Sequence, residues 1–349
     1  MNTSLAESDE VAENVKSMAT TLLRARVKSL ERIAGGLNGR VYRLGVEPSR
    51  TYAVKVYFRD TTDDRARMET ELSGLAFMRQ NGIACVPVFV SASREHHCAI
   101  FEWIDGRRIR PQNVDAPSID KASSFLIRLF GLRDRPGSET LEAASEACFS
   151  GPALLKNLQD RLRPLMDRAD RTDLKAYLTD EFCPALDQVT AWSRHRLGRH
   201  FDRELEQKEK TLSPSDFGFH NALMRSTGEI IFLDFEYFGW DDPVKMISDF
   251  LLHPAMVLPP AFLRRFAGSV VRDLAVIPGL ADRLEAFYPL FGLKWCLIFL
   301  NEFLPEHLLR RRFAGLNDSD HRERLSEQLA KAKMMLQRIL SEYEHLPYI

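Results

Sequence analysis

The sequence predicts an α+β chain in two lobes, a small antiparallel sheet carrying one helix followed by a larger, mostly helical lobe. Three observations carry that expectation. Between Val27 and Ile104 apolar and polar residues alternate in short runs punctuated by glycine, the pattern of half-buried strands. A single helical repeat, Met68, Leu72, Leu75 and Phe77–Met78, interrupts those runs and stops at Asn81-Gly82. Beyond Asp105-Gly106 the apolar spacing becomes three and four residues almost throughout. A length of 349 residues accommodates two such lobes.

Taken in order, residues 1–22 are acidic and polar and read as an extension, helical in texture, ahead of the first lobe. The first lobe is expected over residues 23–104. It begins with a strand from Val27, a glycine-bearing turn at "GGLNG", a second strand, a turn at Glu47–Arg50 and a third strand at Thr51–Phe58. The helix follows, then two strands around a polar turn at Ser93–His97. The second lobe is expected over residues 105–349, with helices near Lys121–Phe130, Ala153–Arg168, Leu174–Arg196, Arg283–Glu302 and His321–His345. In the last of these, Leu325, Leu329, Ala332, Leu336, Ile339 and Tyr343 form one face, which suits docking on the chain's own core. Only Thr211–Pro243 interrupts this lobe with loop and strand.

Composition removes several function classes. Net charge is −1, so no overall field draws the chain to nucleic acid or anionic membrane. The short basic clusters at Gly106–Arg110 and Leu309–Phe313 read as solvated faces. The longest apolar runs, such as Cys296–Leu300, are too short to span a bilayer. The N-terminal stretch lacks the basic start and apolar block of a signal peptide. Five scattered cysteines, with no C-x-x-C pair, argue against a disulfide framework or a zinc site and point to a reducing, cytoplasmic home.

What remains is a set of residues suited to phosphoryl transfer. That reaction needs a held triphosphate, neutralised charge, an oriented acceptor hydroxyl and fixed geometry. Lys55 stands in "YAVK" on the third strand, where a lysine reaches α- and β-phosphates. Glu71, in the following helix, is the preferred ion-pair partner over its neighbour Glu69, because it lies next to Leu72 on the apolar face. Gly35, Gly36 and Gly39 permit close backbone approach, and the amides of Asn38–Val41 suit phosphate oxygens, although "GGLNG" alone reads as a hairpin turn. Asp216 and Asn221 reproduce the Asp-x-x-x-x-Asn spacing of a kinase catalytic loop. Asp234 follows the apolar strand "EIIFL", at a strand end where a hard-oxygen magnesium ligand would emerge. Singly, Asp216 reads as a turn-capping residue and Asp234 as a helix cap or hairpin residue; it is their common order that favours chemistry.

"SDFGFHNAL…IIFLDFEYFGWDDPVKMISDF" resembles the aminoglycoside phosphotransferase and choline/ethanolamine kinase superfamily, over roughly residues 33–250. The resemblance implies a bilobal protein-kinase-like fold and a phosphotransferase that uses ATP or GTP with Mg2+. It implies Asp216 as catalytic base, Asn221 and Asp234 as metal ligands, and Lys55 with Glu71 as the phosphate-holding pair. It also implies that the Glu102 carbonyl and Ile104 amide face adenine, and that Asp249 braces the second loop. Two positions depart from the pattern. Pro214 stands where the family usually has a histidine, which bears on loop geometry. Gly218 stands where protein kinases carry a lysine, which favours a small-molecule acceptor.

The acceptor is expected beside Asp216, near Trp240, Asp241 and Asp242 (the last reading equally well as the start of the turn at Pro243) and, from the late helices, Trp295, Asn301 and Glu302. Carboxylates with indole faces suit a cation or a polyhydroxylated ring such as an aminoglycoside, a choline- or ethanolamine-like alcohol or a sugar. Trp295 reads equally well as a core residue. Glu302 is the distinctive one, a carboxylate at the end of the apolar run "CLIFLN". The rival reading is an idle kinase-like protein that binds nucleotide; the presence of Lys55, Asp216, Asn221 and Asp234 together favours the enzyme. A protein kinase is disfavoured because no extended activation segment follows Asp234.

Overall fold

A computed structural model describes residues 2–33, 39–58, 66–168, 172–305, 307 and 321–349. The chain divides into two compact units.

The first unit takes the residues up to Arg107 together with Leu223–Glu236. Its centre is a five-stranded antiparallel sheet of β1 (Val27–Ile33), β2 (Gly39–Val46), β3 (Arg50–Tyr57), β4 (Phe89–Ser93) and β5 (Cys98–Glu102), in the order β1-β2-β3-β5-β4. The alternation in the sequence becomes two faces. On β2, Tyr42, Leu44 and Val46 are buried while their neighbours are not, and Val54 and Ile100 continue that layer on β3 and β5. The β2–β3 register pairs Val41 with Lys55, and the β3–β5 register pairs Lys55 with Ala99. Lys55 therefore sits on a central strand, held from both sides.

Helix α1 (Asn2–Leu23) departs from the expected free-standing extension. Val15, Met18 and Ala19 are buried with Tyr42, Leu44, Val54 and Ile100 in one apolar cluster. The physical reason is spacing: Met18 and Ala19 follow Val15 by three and four positions, so all three share one helix face and pack on the sheet. Helix α2 (Arg67–Gln80) buries Met68, Glu71, Leu75 and Met78. Short strands β6 (Arg107–Arg108), β8 (Ala222–Met224) and β9 (Ile230–Phe232) make a second sheet in the order β6-β8-β9. The segment bearing Asp234 thus joins the first unit, not the helical part of the chain as the lobe boundary at 104/105 would have it. Phe232 N donates to Cys85 O at 3.0 Å and Phe235 N to Glu71 Oε1 at 3.2 Å, which fastens it there.

The second unit takes Arg108–Ala222, Tyr237–His307 and the chain from His321 to its end. Its helices are α3 (Ala116–Gly131), α4 (Gly151–Asp167), α5 (Thr172–Ala176), α6 (Cys183–Leu197), α7 (Pro243–Leu252), α8 (Pro260–Asp273), α9 (Leu280–Phe299) and α10 (His321–Glu342). The periodic stretches of the sequence correspond to these helices; α5 and α6 are joined by a π-helical stretch at Tyr177–Phe182. Helix α9 is the axis of the unit, with Leu284, Phe287, Leu290, Leu293 and Leu297 fully or almost fully buried. Gly292 lets α10 approach closely, since a Cβ there would lie 2.2 Å from Ile339 Cδ1. A two-stranded antiparallel ladder of β7 (Thr211–Ser213) and β10 (Gly239–Asp241) pairs Leu212 with Trp240. Among the described residues no helix is long and apolar enough to cross a membrane.

Candidate active site

In the first unit, β3, α2 and the segment after β9 deliver their charged groups to one point. Lys55 Nζ lies 2.7 Å from Glu71 Oε2, 2.6 Å from Asp234 Oδ1 and 3.2 Å from Glu236 Oε2. Tyr57 OH donates to Glu71 Oε2 at 2.8 Å, and Arg67 Nε stands 3.7 Å from Glu236 Oε1. Burial alone would lower the Lys55 ammonium; Asp234, Glu71 and Glu236 outweigh it and hold the group well above its ordinary value. Burial pushes the Glu236 carboxyl up, with Lys55 opposing and the negative charges of Asp234 and Glu71 adding. Three carboxylates face two cations, so the cluster keeps a surplus of negative charge.

Asp234 is the outward member of this cluster. Its side chain is 37% exposed, against 3% for Glu71 and for Glu236. Its backbone is left-handed, φ 67°, a costly conformation for a residue other than glycine and one that turns the carboxylate back on Lys55. Oxygen atoms of Glu71, Asp234 and Glu236 lie within 4.8 Å of one another, a hard-oxygen set of the kind Mg2+ takes.

In the second unit, the loop after β7 is fixed from several sides. Ser215, also left-handed at φ 66°, donates its Oγ hydrogen to Ser145 O and accepts from Lys245 Nζ at 2.8 Å. Lys245 of α7 is almost fully buried between Asp241 and Asp249, at 2.8 and 3.1 Å. Phe217 and Phe219 anchor the loop in the core: Phe217 stacks on Phe125 at 5.5 Å and Phe219 meets Phe250 edge-on. Fully burying such a ring contributes roughly 1.5–3 kcal/mol. Immediately before these anchors stands Asp216, its side chain 34% exposed. Its Oδ1 accepts from His220 Nε2 at 3.2 Å and from His253 Nε2 at 3.0 Å. Burial would raise the carboxyl, but the bonds from His220 and His253 prevail and hold it well below the usual carboxylate range.

Asn221 turns its amide nitrogen inward, donating to Asp216 O at 3.1 Å and to Asp216 Oδ2 at 3.3 Å. This leaves its amide oxygen, a group of the kind that can ligate magnesium. The two imidazoles stack at 3.8 Å with 13° between their planes, and Trp295 meets His253 edge-on at 4.8 Å. Gly218 makes room for this arrangement, because a Cβ there would lie 2.8 Å from His220 Nδ1.

The sequence-predicted residues therefore fall into two groups, each assembled within its own unit. Lys55, Glu71 and Asp234 meet in the first; Asp216 and Asn221 meet in the second, next to Trp295. Gly39 opens β2, where a Cβ would stand 3.1 Å from Val56 O, while Gly36 and Asn38 lie outside the described residues. Glu102 ends β5 as an exposed residue, with its N–H on Val88 O, and Ile104 follows in the irregular stretch that leaves the sheet.

The proposed acceptor residues are dispersed. Trp240 is internal, its Nε1 donating to Ser138 O at 3.0 Å. Asp241 is fully buried and ion-paired with Lys245, so its carboxylate is engaged within the protein. Asp249 lies on the same lysine, 3.1 Å from its Nζ. Asn301 Oδ1 accepts from Arg161 Nη1 at 3.5 Å, and Glu302 is buried in a 3₁₀ turn. Trp295 differs from all of these: its indole N–H is buried without a hydrogen-bond partner, on the side of α9 that reaches His253.

Sequence reasoning missed His220, His253, Tyr57, Arg67 and Lys245, and gave Glu236 no role in the lysine cluster. His220 lies inside the Asp-to-Asn motif and was open to notice. His253 is 37 residues from Asp216 and reaches it only because α7 turns the chain back, a relation without any local signal.

Residues 29–280 match the profile of the phosphotransferase enzyme family (APH). No curated protein matches the chain in sequence. Among solved structures, spectinomycin phosphotransferase APH(9)-Ia, in complex with ADP and spectinomycin, is 12% identical, with 94% of this chain and 98% of that one covered and a TM-score of 0.64. Choline kinase LicA from Streptococcus pneumoniae is 14% identical, over 93% and 98% of the two chains, with a TM-score of 0.63. Macrolide 2′-phosphotransferase type I is 15% identical, over 93% and 96%, with a TM-score of 0.59. The chain has the kinase-like fold of these structures, and it belongs to the phosphotransferase enzyme family, whose members are small-molecule kinases.

Proposed function

From that membership we propose that the protein transfers the γ-phosphate of Mg-ATP, or of Mg-GTP, to a hydroxyl group of a small molecule. The observation that carries this reading is Lys55 Nζ bridging Glu71 and Asp234 at 2.7 and 2.6 Å. A buried lysine held out by a glutamate suits the α- and β-phosphates, and the outward Asp234 carboxylate suits Mg2+. The surplus negative charge around Lys55 favours a divalent cation there. Bound Mg2+ would neutralise charge on the phosphate oxygens.

The protein's own groups do the rest. Lys55 neutralises the phosphates of the nucleotide. Asp216 Oδ1 accepts from two imidazoles and Oδ2 from the Asn221 amide alone among the described contacts, at 3.3 Å, so Oδ2 is the atom suited to receive the acceptor's O–H. As that proton moves to Asp216, the acceptor oxygen bonds to the γ-phosphorus, and the bond from phosphorus to the β–γ bridging oxygen breaks. The nucleoside diphosphate leaves with that electron pair. A carboxylate held ionised by its neighbours is a weak base. That suffices where the transition state is loose and orientation is the main requirement.

The acceptor class follows from what lies near Asp216. Trp295 offers an indole edge with an unsatisfied N–H, and such a donor suits a polyhydroxylated or amine-bearing alcohol. Spectinomycin and choline, named for two structural relatives, are of this kind and head the trial set. The test is nucleoside diphosphate formation with Mg2+ over a panel of amino sugars, amino alcohols, macrolides and simple sugars, with ATP and GTP in parallel. Acceptor-dependent ADP or GDP formation supports the reading. Nucleotide binding without transfer to any member overturns it.

A further inference from the structure

The Asp216 carboxylate is held only in part by its own loop, through His220 on Oδ1 at 3.2 Å and Asn221 on Oδ2 at 3.3 Å. Pro214, two positions earlier, has no side-chain donor, and Ser215 spends its hydroxyl on Ser145 O and Lys245. The shortest bond comes from outside the loop, from His253, the residue that caps the C-terminal end of α7. The tautomer of this imidazole is fixed by its other nitrogen. Ala255 N–H donates to His253 Nδ1 at 3.2 Å, so Nδ1 presents its lone pair and Nε2 carries the hydrogen. That hydrogen points at Asp216 Oδ1, 3.0 Å away.

The ring has little freedom to turn. His220 covers one face at 3.8 Å, Trp295 abuts its edge at 4.8 Å, and the side chain is 9% exposed. The helix behind it is equally fixed. Asp242 caps α7 by accepting from Val244 N at 2.8 Å and is itself held by Arg283 of α9 at 2.7 Å. Lys245, one turn in, grips Ser215. One helix therefore holds the catalytic loop at two points, the backbone turn through Lys245 and the carboxylate through His253.

We propose that His253 is a positioning residue for phosphoryl transfer, locking Asp216 through an Nε2–H bond to Oδ1 so that Oδ2, which Asn221 steadies at 3.3 Å, is the oxygen presented to the acceptor hydroxyl. This rests on the reading of Asp216 as the carboxylate that receives the acceptor's proton. A carboxylate has two equivalent oxygens and rotates freely about its last bond unless one of them is tied. His220 adds a second donor to the same oxygen, but it adjoins Asn221 within the loop. His253 comes from a separate element and can be changed without rebuilding the motif.

Two substitutions distinguish positioning from mere filling of space. The amide nitrogen of Gln reaches where Nε2 stands; that of Asn reaches only where Nδ1 stands. His253→Gln should therefore keep kcat close to wild type. His253→Asn, polar and smaller, should lower kcat between about tenfold and 10²-fold, the scale on which a misplaced catalytic group costs rate. The KM for Mg-ATP should stay unchanged in both. The assay is ADP formation from Mg-ATP by the full chain with the pooled hydroxylated acceptors present, beside Asp216→Ala and a melting curve for each variant. Equal loss in the Gln and Asn variants, or full kcat in the Asn variant, overturns the positioning role while Asp216→Ala remains inactive. Turnover that persists in Asp216→Ala, or that is missing from the wild type, overturns the reading beneath it.

Discussion

The two units hold their key carboxylates by opposite means. In the first, Asp234 is tied to a cation, Lys55, inside a cluster of three carboxylates and two positive side chains. In the second, Asp216 is tied to two imidazole N–H groups, with no lysine or arginine on its oxygens among the described contacts. Both arrangements use a left-handed backbone residue at the turn, Asp234 itself in one and Ser215 in the other. The difference matches the tasks proposed for them. A group that binds a metal and polyphosphate works among strong charges that redistribute when the ligand arrives. A group that aims one hydroxyl must keep its direction and present one oxygen, which dipolar donors on the other oxygen achieve without competing for phosphate.

The largest expected effect is on rate and falls on the imidazole-held carboxylate. Asp216→Ala should lower kcat by roughly 10²–10⁴-fold, the range for a lost proton-accepting or orienting group. Steady-state turnover of the folded variant checks it, and near-normal turnover would dissolve the functional half of the comparison.

Next comes stability, where the cation-held cluster should be the more sensitive. Lys55→Met leaves Glu71 and Glu236 buried with one positive neighbour fewer, and breaking a buried pair costs about 3–5 kcal/mol. Denaturant unfolding would register it. Little change in midpoint would mean that Glu236, already pushed up by burial, takes a proton and relieves the cluster.

A third effect concerns the brace behind the catalytic loop. Burial raises the Asp241 carboxyl to about 6, with Lys245 opposing and Asp249 and Asp242 adding. The folded value lies above the ordinary carboxylate value near 4, so the folded state binds more protons between about pH 4 and pH 6. Stability from this group is therefore fullest below that window and falls as pH rises through it, by at most about 3 kcal/mol. Asp241→Asn should lack that fall. Parallel pH profiles of melting temperature for the two proteins would sink the argument.

How far the sequence revealed these two centres differs in the same way. Lys55, Glu71 and Asp234 were legible because strand, helix and strand-end patterns each mark a position, and the Asp216–Asn221 spacing is a local signature. Trp240 and Asp241 misled, since an indole and a carboxylate beside a turn look alike whether they face a ligand or, as here, Ser138 and Lys245. His253 left no trace, because its meaning depends on where α7 ends in space. The helical texture of the N-terminal segment was legible but its docking was not: the stripe of Val15, Met18 and Ala19 is short, and it gains a purpose only from the sheet face it covers. Glu236 stood in plain view in "DFEY", but one residue from Asp234 on a chain of unknown turn, its direction was unreadable.

The smallest predicted effect belongs to Trp295. Trp295→Phe keeps an aromatic ring at this position, smaller than the indole, and removes the unpartnered indole N–H, a group worth about 0.5–1.5 kcal/mol once it finds a partner. The acceptor's KM should rise severalfold with the nucleotide's KM unchanged. Unchanged values for both would remove Trp295 from the acceptor's surroundings.

The most direct test is a calorimetric titration of Mg-ATP into wild type, Asp216→Ala and Asp234→Asn, all shown to be folded. Asp216→Ala should bind with wild-type affinity while failing to turn over. Asp234→Asn should bind about tenfold more weakly or worse, a loss of about 1.4 kcal/mol, with its dependence on Mg2+ reduced. Equal affinities in all three, or a loss confined to Asp216→Ala, would contradict the assignment of nucleotide to the Lys55–Asp234 cluster and of the acceptor to Asp216.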